Sequence, residues 1–418
     1  MLIIIQKLRK EKTMTIKKES IIRILLFLIG VFCQINPLIS RGIMVLYLGF
    51  CLFLFILSIN PKKIKFGIGF LWYFTFVLFC MFSLLYTINT INPDFVYVRI
   101  LTYLFMLFLA APFLEKDKGI KTVAKGFVIG GLIGITIVLI NQYSLIGVRR
   151  LGGKLYGSYA EFGAVCALSI TSFWWLQKEY KSGNVIKVFL FMYLALGILL
   201  SGARKAMLIA ILIPLFMQLF DKRKKITKKF MIFSALVIIA ITIVYVVLSN
   251  EYLYKFIGYR IESGIESVIG EEKEDASLYE RGSFKKLAKE MFKEKPIIGW
   301  GMHGFAMRNY YAHGNALHFL LYSHDGFLEI LSCYGLIGFI LYYWIFAYII
   351  INYKELLYDD TGIFLFSYII IILLMELYSI SFFNSFYILM IGSCANIVSK
   401  RRKNNEKYIE KNIKTFTG

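Results

Sequence analysis

Apolar runs long enough to cross a bilayer recur along the whole chain. A helix needs about 20 residues to cross the hydrocarbon layer, and only helices or closed barrels satisfy their backbone polar groups there. Twelve such runs are read as helical spans: 21–38, 42–59, 66–87, 96–114, 126–142, 158–176, 185–201, 203–220, 230–249, 332–352, 362–380 and 383–398. The expected fold is therefore all-α, a polytopic membrane protein. Composition agrees: 18% of residues are charged, against roughly 25% in soluble domains. A disordered chain is excluded and an ordinary soluble enzyme is disfavoured. The six cysteines lie scattered in or beside spans with no CxxC pair. They read as small hydrophobes, not as a disulfide framework or a zinc site. The charged first twenty residues lead into a span without a small-residue cleavage site, so an uncleaved start is expected.

The formal net charge of +22 would suit a nucleic-acid binder, but the basic residues are placed by topology. With the N-terminus inside, the inside segments hold 30 Lys and Arg and the short outside loops only six. That is the positive-inside asymmetry, with attraction to anionic lipid added. No basic groove with interleaved aromatics appears, so no nucleic-acid partner is expected. The order is then a cytoplasmic segment 1–20, spans one to nine over 21–249, an extracytoplasmic segment 250–331, spans ten to twelve over 332–398, and a basic cytoplasmic tail 399–418. Both termini lie inside a multi-pass cytoplasmic membrane protein. A cysteine introduced at Asp275 is expected to react with an impermeant reagent in whole cells, and one at Lys224 to be protected. The reverse pattern would put every candidate residue below in the wrong compartment.

Segment 250–331 is polar and too long for an idle connection. It holds all four histidines, His303, His313, His318 and His324. Its acidic middle, 270–280, reads as a flexible excursion. In RGSFKKLAKEMFKEKP (281–296), Phe284, Leu287, Ala288, Met291 and Phe292 recur at helical spacing. Five lysines, Lys285 among them, fill the other positions. This is an amphipathic helix, stopped by Pro296 and expected to lie on the outer membrane surface with its lysines toward headgroups. The glycines of GWGMHG (299–304) permit tight turns. The gaps between the histidines, 10, 5 and 6 residues, match no standard ligand spacing, so no metal is expected.

Charged groups at membrane depth are functional candidates by default. Arg204 lies in SGARKA (201–206), a tight turn between two spans, where Arg204 and Lys205 break the positive-inside pattern. It either snorkels to headgroups or grips an anion; a guanidinium suits the bidentate oxygens of a diphosphate. Arg281 opens the amphipathic helix. Arg149 and Arg150 crowd the short loop 148–158 and could hold substrate or anionic lipid. Arg99 lies near the outer end of the fourth span. His324 stands just ahead of the tenth span, and an imidazole takes up a proton near neutral pH. Asp325 and Glu329 are candidate orienting partners, though Glu329 also fits a helix-start carboxylate. Glu376, in the eleventh span, could pair with an arginine or serve structure only. No Walker A, GxGxxG, HExxH or GxSxG pattern occurs. Reactivity must then come from the substrate or from a gradient, and no cofactor is expected.

Three elements in order resemble the O-antigen ligase and Wzy polymerase superfamily of integral membrane glycosyltransferases. SGARKA is similar to its small-small-Arg turn. RGSFKKLAKEMFKEKPIIGWGMHGF is similar to its loop helix followed by Pro and Gly-x-Gly. SHDGFLEILSCYGLIGF (323–339) is similar to its His-Asn, Leu, Gly-x-x-Gly signature. Asp325 departs from the family's usual Asn, and Lys289 from its frequent Trp. The resemblance implies a GT-C-type enzyme acting on undecaprenyl-diphosphate-linked glycans without metal or nucleotide. Arg204 and Arg281 would hold the donor diphosphate, and His324 would deprotonate the acceptor hydroxyl, with inversion at the anomeric carbon. Its partners would be lipid-linked donor and acceptor, membrane lipids, a chain-length regulator and a flippase.

A composition rich in Ile, Lys, Phe and Tyr points to an AT-rich genome, and many such bacteria polymerise capsule repeats. A polymerase is thus favoured over ligase-type transfer to a final acceptor. A lipid-linked oligosaccharide flippase or secondary transporter is the non-enzyme alternative. Transporters carry their charges near the bilayer midplane, whereas here the polar residues gather in one outer segment.

Overall fold

The computed structural model describes residues 2–417 except 60–65, 88–93, 147–148, 178, 224, 252–253, 255–257, 259–261, 263–275 and 314–320. Among the described residues the regular elements are helices, and each of the twelve expected spans falls on one. In chain order these are α1 (Leu2–Ile35), α2 (Arg41–Ser58), α3 (Ile68–Ser83), α4 (Asp94–Ala110), α5 (Asp117–Gln142), the short α6 (Gly153–Tyr156), α7 (Tyr159–Leu176), α8 (Asn184–Ser201), α9 (Arg204–Phe220), α10 (Ile226–Ser249), α11 (Ala276–Glu294), α12 (Gly304–His313), α13 (Gly326–Ile351), α14 (Asp360–Glu376) and α15 (Ser385–Thr417). Five described helices are long and apolar enough to cross a membrane by length and composition alone, α1, α2, α5, α8 and α13, with α5 continued to Leu145. Leu46 on α2 is 76% exposed and Val185 on α8 is 83% exposed. Large apolar side chains turned outward in this number belong against lipid. The protein is an all-α polytopic membrane protein.

Side-chain caps start several of these helices. The Ser158 hydroxyl accepts from the Glu161 N–H at 3.0 Å, and the Asp359 carboxylate from the Gly362 N–H at 2.7 Å. Each satisfies a backbone donor that the first turn leaves open.

The chain divides into two compact units. The first comprises residues 1–66 and 108–215. In it α5 packs between α1 and α7, and α7 packs on α8. The Ser169 hydroxyl of α7 donates to the Phe127 carbonyl of α5 at 2.9 Å, an interhelical bond of the kind that holds apolar helices together.

The second unit comprises residues 67–107 and 216–418. Here α3 packs on α13 and α15. The Trp72 indole donates to the Tyr342 carbonyl at 2.8 Å, and the Gly69 N–H to the Asn396 side chain at 2.9 Å. Phe76, Tyr334, Tyr342 and Phe382 form the aromatic centre, with Phe76 and Tyr342 ring centroids 4.9 Å apart.

Helix α13 is broken at Gly335 (φ 63°, ψ −163°), a conformation essentially confined to glycine. The break frees backbone groups, and segment 296–301 supplies their partners. The Leu336 and Ile337 N–H groups donate to the Pro296 and Ile297 carbonyls at 2.8 and 3.1 Å. The Trp300 and Gly301 N–H groups donate to the Ser332 and Cys333 carbonyls at 3.0 and 2.7 Å. The Pro, Gly-x-Gly and Gly-x-x-Gly elements are thus two sides of one interlock, which satisfies irregular backbone inside protein. A Cβ at Gly335 would lie 2.3 Å from the Ile297 oxygen. Gly335→Ala is therefore expected to cost the backbone strain, of order 1–3 kcal/mol, plus that clash. A lower melting temperature in detergent should report it; an unchanged one would show that the break is not needed for stability.

Candidate functional site

The second unit gathers His324, Asp325, Glu329 and Glu376 around one turn and carries Arg281 on a helix packed beside it. Helix α11 begins at Ala276, so residues 276–280, expected as part of a flexible excursion, are its first turn; 270–275 lie outside the described residues. The expectation that this helix rests on the membrane surface is corrected. Its apolar stripe, Phe284, Ala288 and Met291, is buried, and the helix packs against α12 and α13. That packing aims the polar flank of α11 at the turn before α13. The Phe284 ring stacks on the His324 imidazole, 6.0 Å between centroids at 9°, and Tyr322 lies 4.4 Å from the same imidazole. Arg281, three residues before Phe284 and four before Lys285, shares their side of the helix.

His324 adopts a left-handed conformation, φ 56°, which is uncommon outside glycine and concentrates at functional sites. Its neighbours hold it there. The Ser323 N–H donates to Glu329 Oε2 at 2.7 Å, and the Ser323 hydroxyl donates to the Asp325 carbonyl at 2.8 Å. Asp325 caps α13: Oδ1 accepts from the Leu328 N–H at 3.1 Å. Its Oδ2 lies 3.1 Å from Lys285 Nζ. Glu376 is buried beneath the turn; its Oε2 accepts from the Tyr343 hydroxyl at 3.0 Å and lies 1.5 Å from where a Gly326 Cβ would sit. The three carboxylates expected as substrate contacts or orienting groups, Asp325, Glu329 and Glu376, are thus engaged in bracing the turn that presents His324. Lys285, expected to face headgroups, is instead part of this brace.

Of the other histidines, His303 also adopts a left-handed backbone, φ 63°. Burial pushes the His303 imidazole down to about 4, so it stays neutral, and its Nε2 is buried without a hydrogen-bond partner. His318 lies outside the described residues, and His313 ends α12. Arg99 is half-buried on α4.

The first unit carries the other basic group. Ser201 ends α8, Gly202 turns with φ 57°, and Arg204 begins α9. The Ser201 hydroxyl accepts from the Ala203 N–H at 3.2 Å. Loop 148–158 is pinned to this turn by the Leu151 N–H donating to the Leu200 carbonyl at 2.9 Å. The Arg150 side chain consequently lies over Gly202, with Cδ 2.7 Å from a Cβ built there. Its guanidinium sits 4.1 Å above the Tyr159 ring, a cation–π contact. Arg150 therefore joins the turn of Arg204 and Lys205, both half-buried, while Arg149 is exposed.

Sequence reading missed Phe284 and Lys285 as neighbours of the His324 turn. The Arg281, Phe284, Lys285 spacing was the signal available. Ser323 and the burial of Glu376 beneath Gly326 had none, because they depend on long-range packing.

Residues 188–343 match the family model described as O-antigen ligase. The matched stretch runs from α8 to the middle of α13 and contains Arg204, Arg281 and His324. No curated protein matches the chain.

Proposed function

We propose, for a chain whose residues 188–343 match the family model described as O-antigen ligase, a role as polymerase of a cell-surface polysaccharide. Members of this family are glycosyltransferase-like enzymes of glycan assembly. The reading here is transfer of a growing glycan from undecaprenyl diphosphate to the sugar hydroxyl of another lipid-linked repeat unit. It takes place on the outer face of the cytoplasmic membrane, with both termini inside. A flippase that delivers the repeat unit and a chain-length regulator are the expected partners.

The observation that carries it is the braced, left-handed His324, stacked on the helix that bears Arg281. A base held in a strained turn, with a guanidinium on the helix packed against it, suits attack of a neutral hydroxyl on a carbon bearing an anionic leaving group. In this reading His324 takes the acceptor hydroxyl proton as the oxygen attacks the anomeric carbon. The bond from that carbon to the diphosphate oxygen breaks, and the lipid diphosphate leaves with the electron pair. Arg281 is read as holding the diphosphate and offsetting the charge that develops on it, a role that the resemblance also gives Arg204. The donor's own diphosphate supplies the driving force.

Deleting the gene and analysing lipid-linked glycans tests the reading. Accumulated single repeat units support the polymerase. Full-length chains stranded on lipid would replace it with a ligase, and glycans trapped on the cytoplasmic face with a flippase.

A further inference from the structure

We infer that Lys285 is a positioning residue, tying three elements together at the turn that presents His324. The inference rests on the reading of His324 as the acceptor's base. Three contacts converge on the Lys285 ammonium. It lies 3.1 Å from Asp325 Oδ2 at the start of α13. It donates to the Leu377 carbonyl, just past the end of α14, at 3.0 Å. It sits 5.4 Å from the Tyr378 ring centroid. A cation at a helix C-terminus meets open carbonyls and a favourable dipole. Lys285 thus bridges the C-terminal end of one helix and the cap of another from a third.

Two features make this more than a surface ion pair of little worth. The Asp325 side chain is 9% exposed, so water does little to compensate it when the ammonium is lost. The residue next to Asp325 is His324, whose left-handed backbone is fixed on both sides by Ser323 and Asp325. A shift of Asp325 moves His324 with it. Phe284, the neighbour of Lys285 in sequence, stacks on the His324 ring. One helix therefore sets both the backbone and the ring of the proposed base.

The charged and titratable groups around the turn are Arg281 and Lys285 on α11, Asp325 and Glu329 on α13, Glu376 with Tyr343 beneath it, Tyr378 past α14, and Tyr322 ahead of it. Removing Lys285 leaves the Asp325 carboxylate uncompensated beside His324. A nearby negative charge favours imidazolium. The acid limb of activity should then move to higher pH, because the base is unprotonated only above its raised titration point.

The test uses purified full-length protein in liposomes, with lipid-diphosphate-linked glycan isolated from cells deleted for the gene. Lys285→Met should lower kcat roughly 10- to 100-fold, as a displaced catalytic group does, and move the acid limb upward. Lys285→Arg should stay within a few-fold of wild type. Lys285→Met combined with Asp325→Asn should bring the acid limb back. Binding of undecaprenyl diphosphate should be unchanged in all three. Lys285→Gln serves if Lys285→Met is not recovered folded. A Lys285→Met protein with wild-type kcat and acid limb, beside an inactive His324→Ala, would overturn the inference while leaving the catalytic reading intact. An acid limb that the double variant does not restore, or lost undecaprenyl diphosphate binding, would overturn it too. Wild-type turnover by His324→Ala would instead remove the catalytic reading and, with it, any base for Lys285 to position.

Discussion

His324→Ala is expected to abolish polymer in cells while expression and donor binding stay close to wild type. A sugar hydroxyl is a poor nucleophile at neutral pH, and a positioned base contributes roughly 10²–10⁴-fold. The turn around His324 is held by bonds that do not use its imidazole: Ser323 to Glu329, Ser323 to the Asp325 carbonyl, and Asp325 to the Leu328 N–H. Truncation should therefore spare the fold. Alanine also loses the ring that stacks on Phe284, so the melting temperature must be measured beside the rate. His313→Ala and His318→Ala should cost much less. If the histidines acted together on a metal, those losses would match that of His324→Ala, and a chelator would inhibit the purified enzyme. Wild-type turnover after His324→Ala would rule out the base and leave the arginines, with substrate positioning, as the source of catalysis.

Arg204→Lys is expected to lower activity about 10- to 100-fold at normal protein level. The substitution keeps the charge but removes the planar fork that fits two diphosphate oxygens. Losing one charge-assisted hydrogen bond, worth roughly 1.5–3 kcal/mol, gives that range at about 1.4 kcal/mol per tenfold. Arg281→Ala should behave similarly. The backbone around Arg204 is set by the Gly202 turn, the Ser201 hydroxyl and the Leu151–Leu200 bond, none of which involves its guanidinium. Full activity of Arg204→Lys, assayed in liposomes, would mean that Arg204 only snorkels to headgroups.

The sequence by itself determined the helical membrane architecture, because bilayer thickness and backbone hydrogen bonding leave few alternatives for its apolar runs. It also offered Arg204, Arg281 and His324 as candidates, and the family resemblance gave them their roles. Tertiary structure decided what surrounds them. The period of Phe284, Ala288 and Met291 announces an apolar face, but period alone does not say whether lipid or protein covers it; α12 and α13 do. That docking turned Lys285 from a headgroup-facing lysine into the partner of Asp325. In the same way, the glycine motifs showed that tight turns were needed. Only the fold showed the break at Gly335 filled by segment 296–301, because its hydrogen bonds join residues more than thirty positions apart in the chain. Contacts at such separations follow from how helices pack, and no local pattern encodes them.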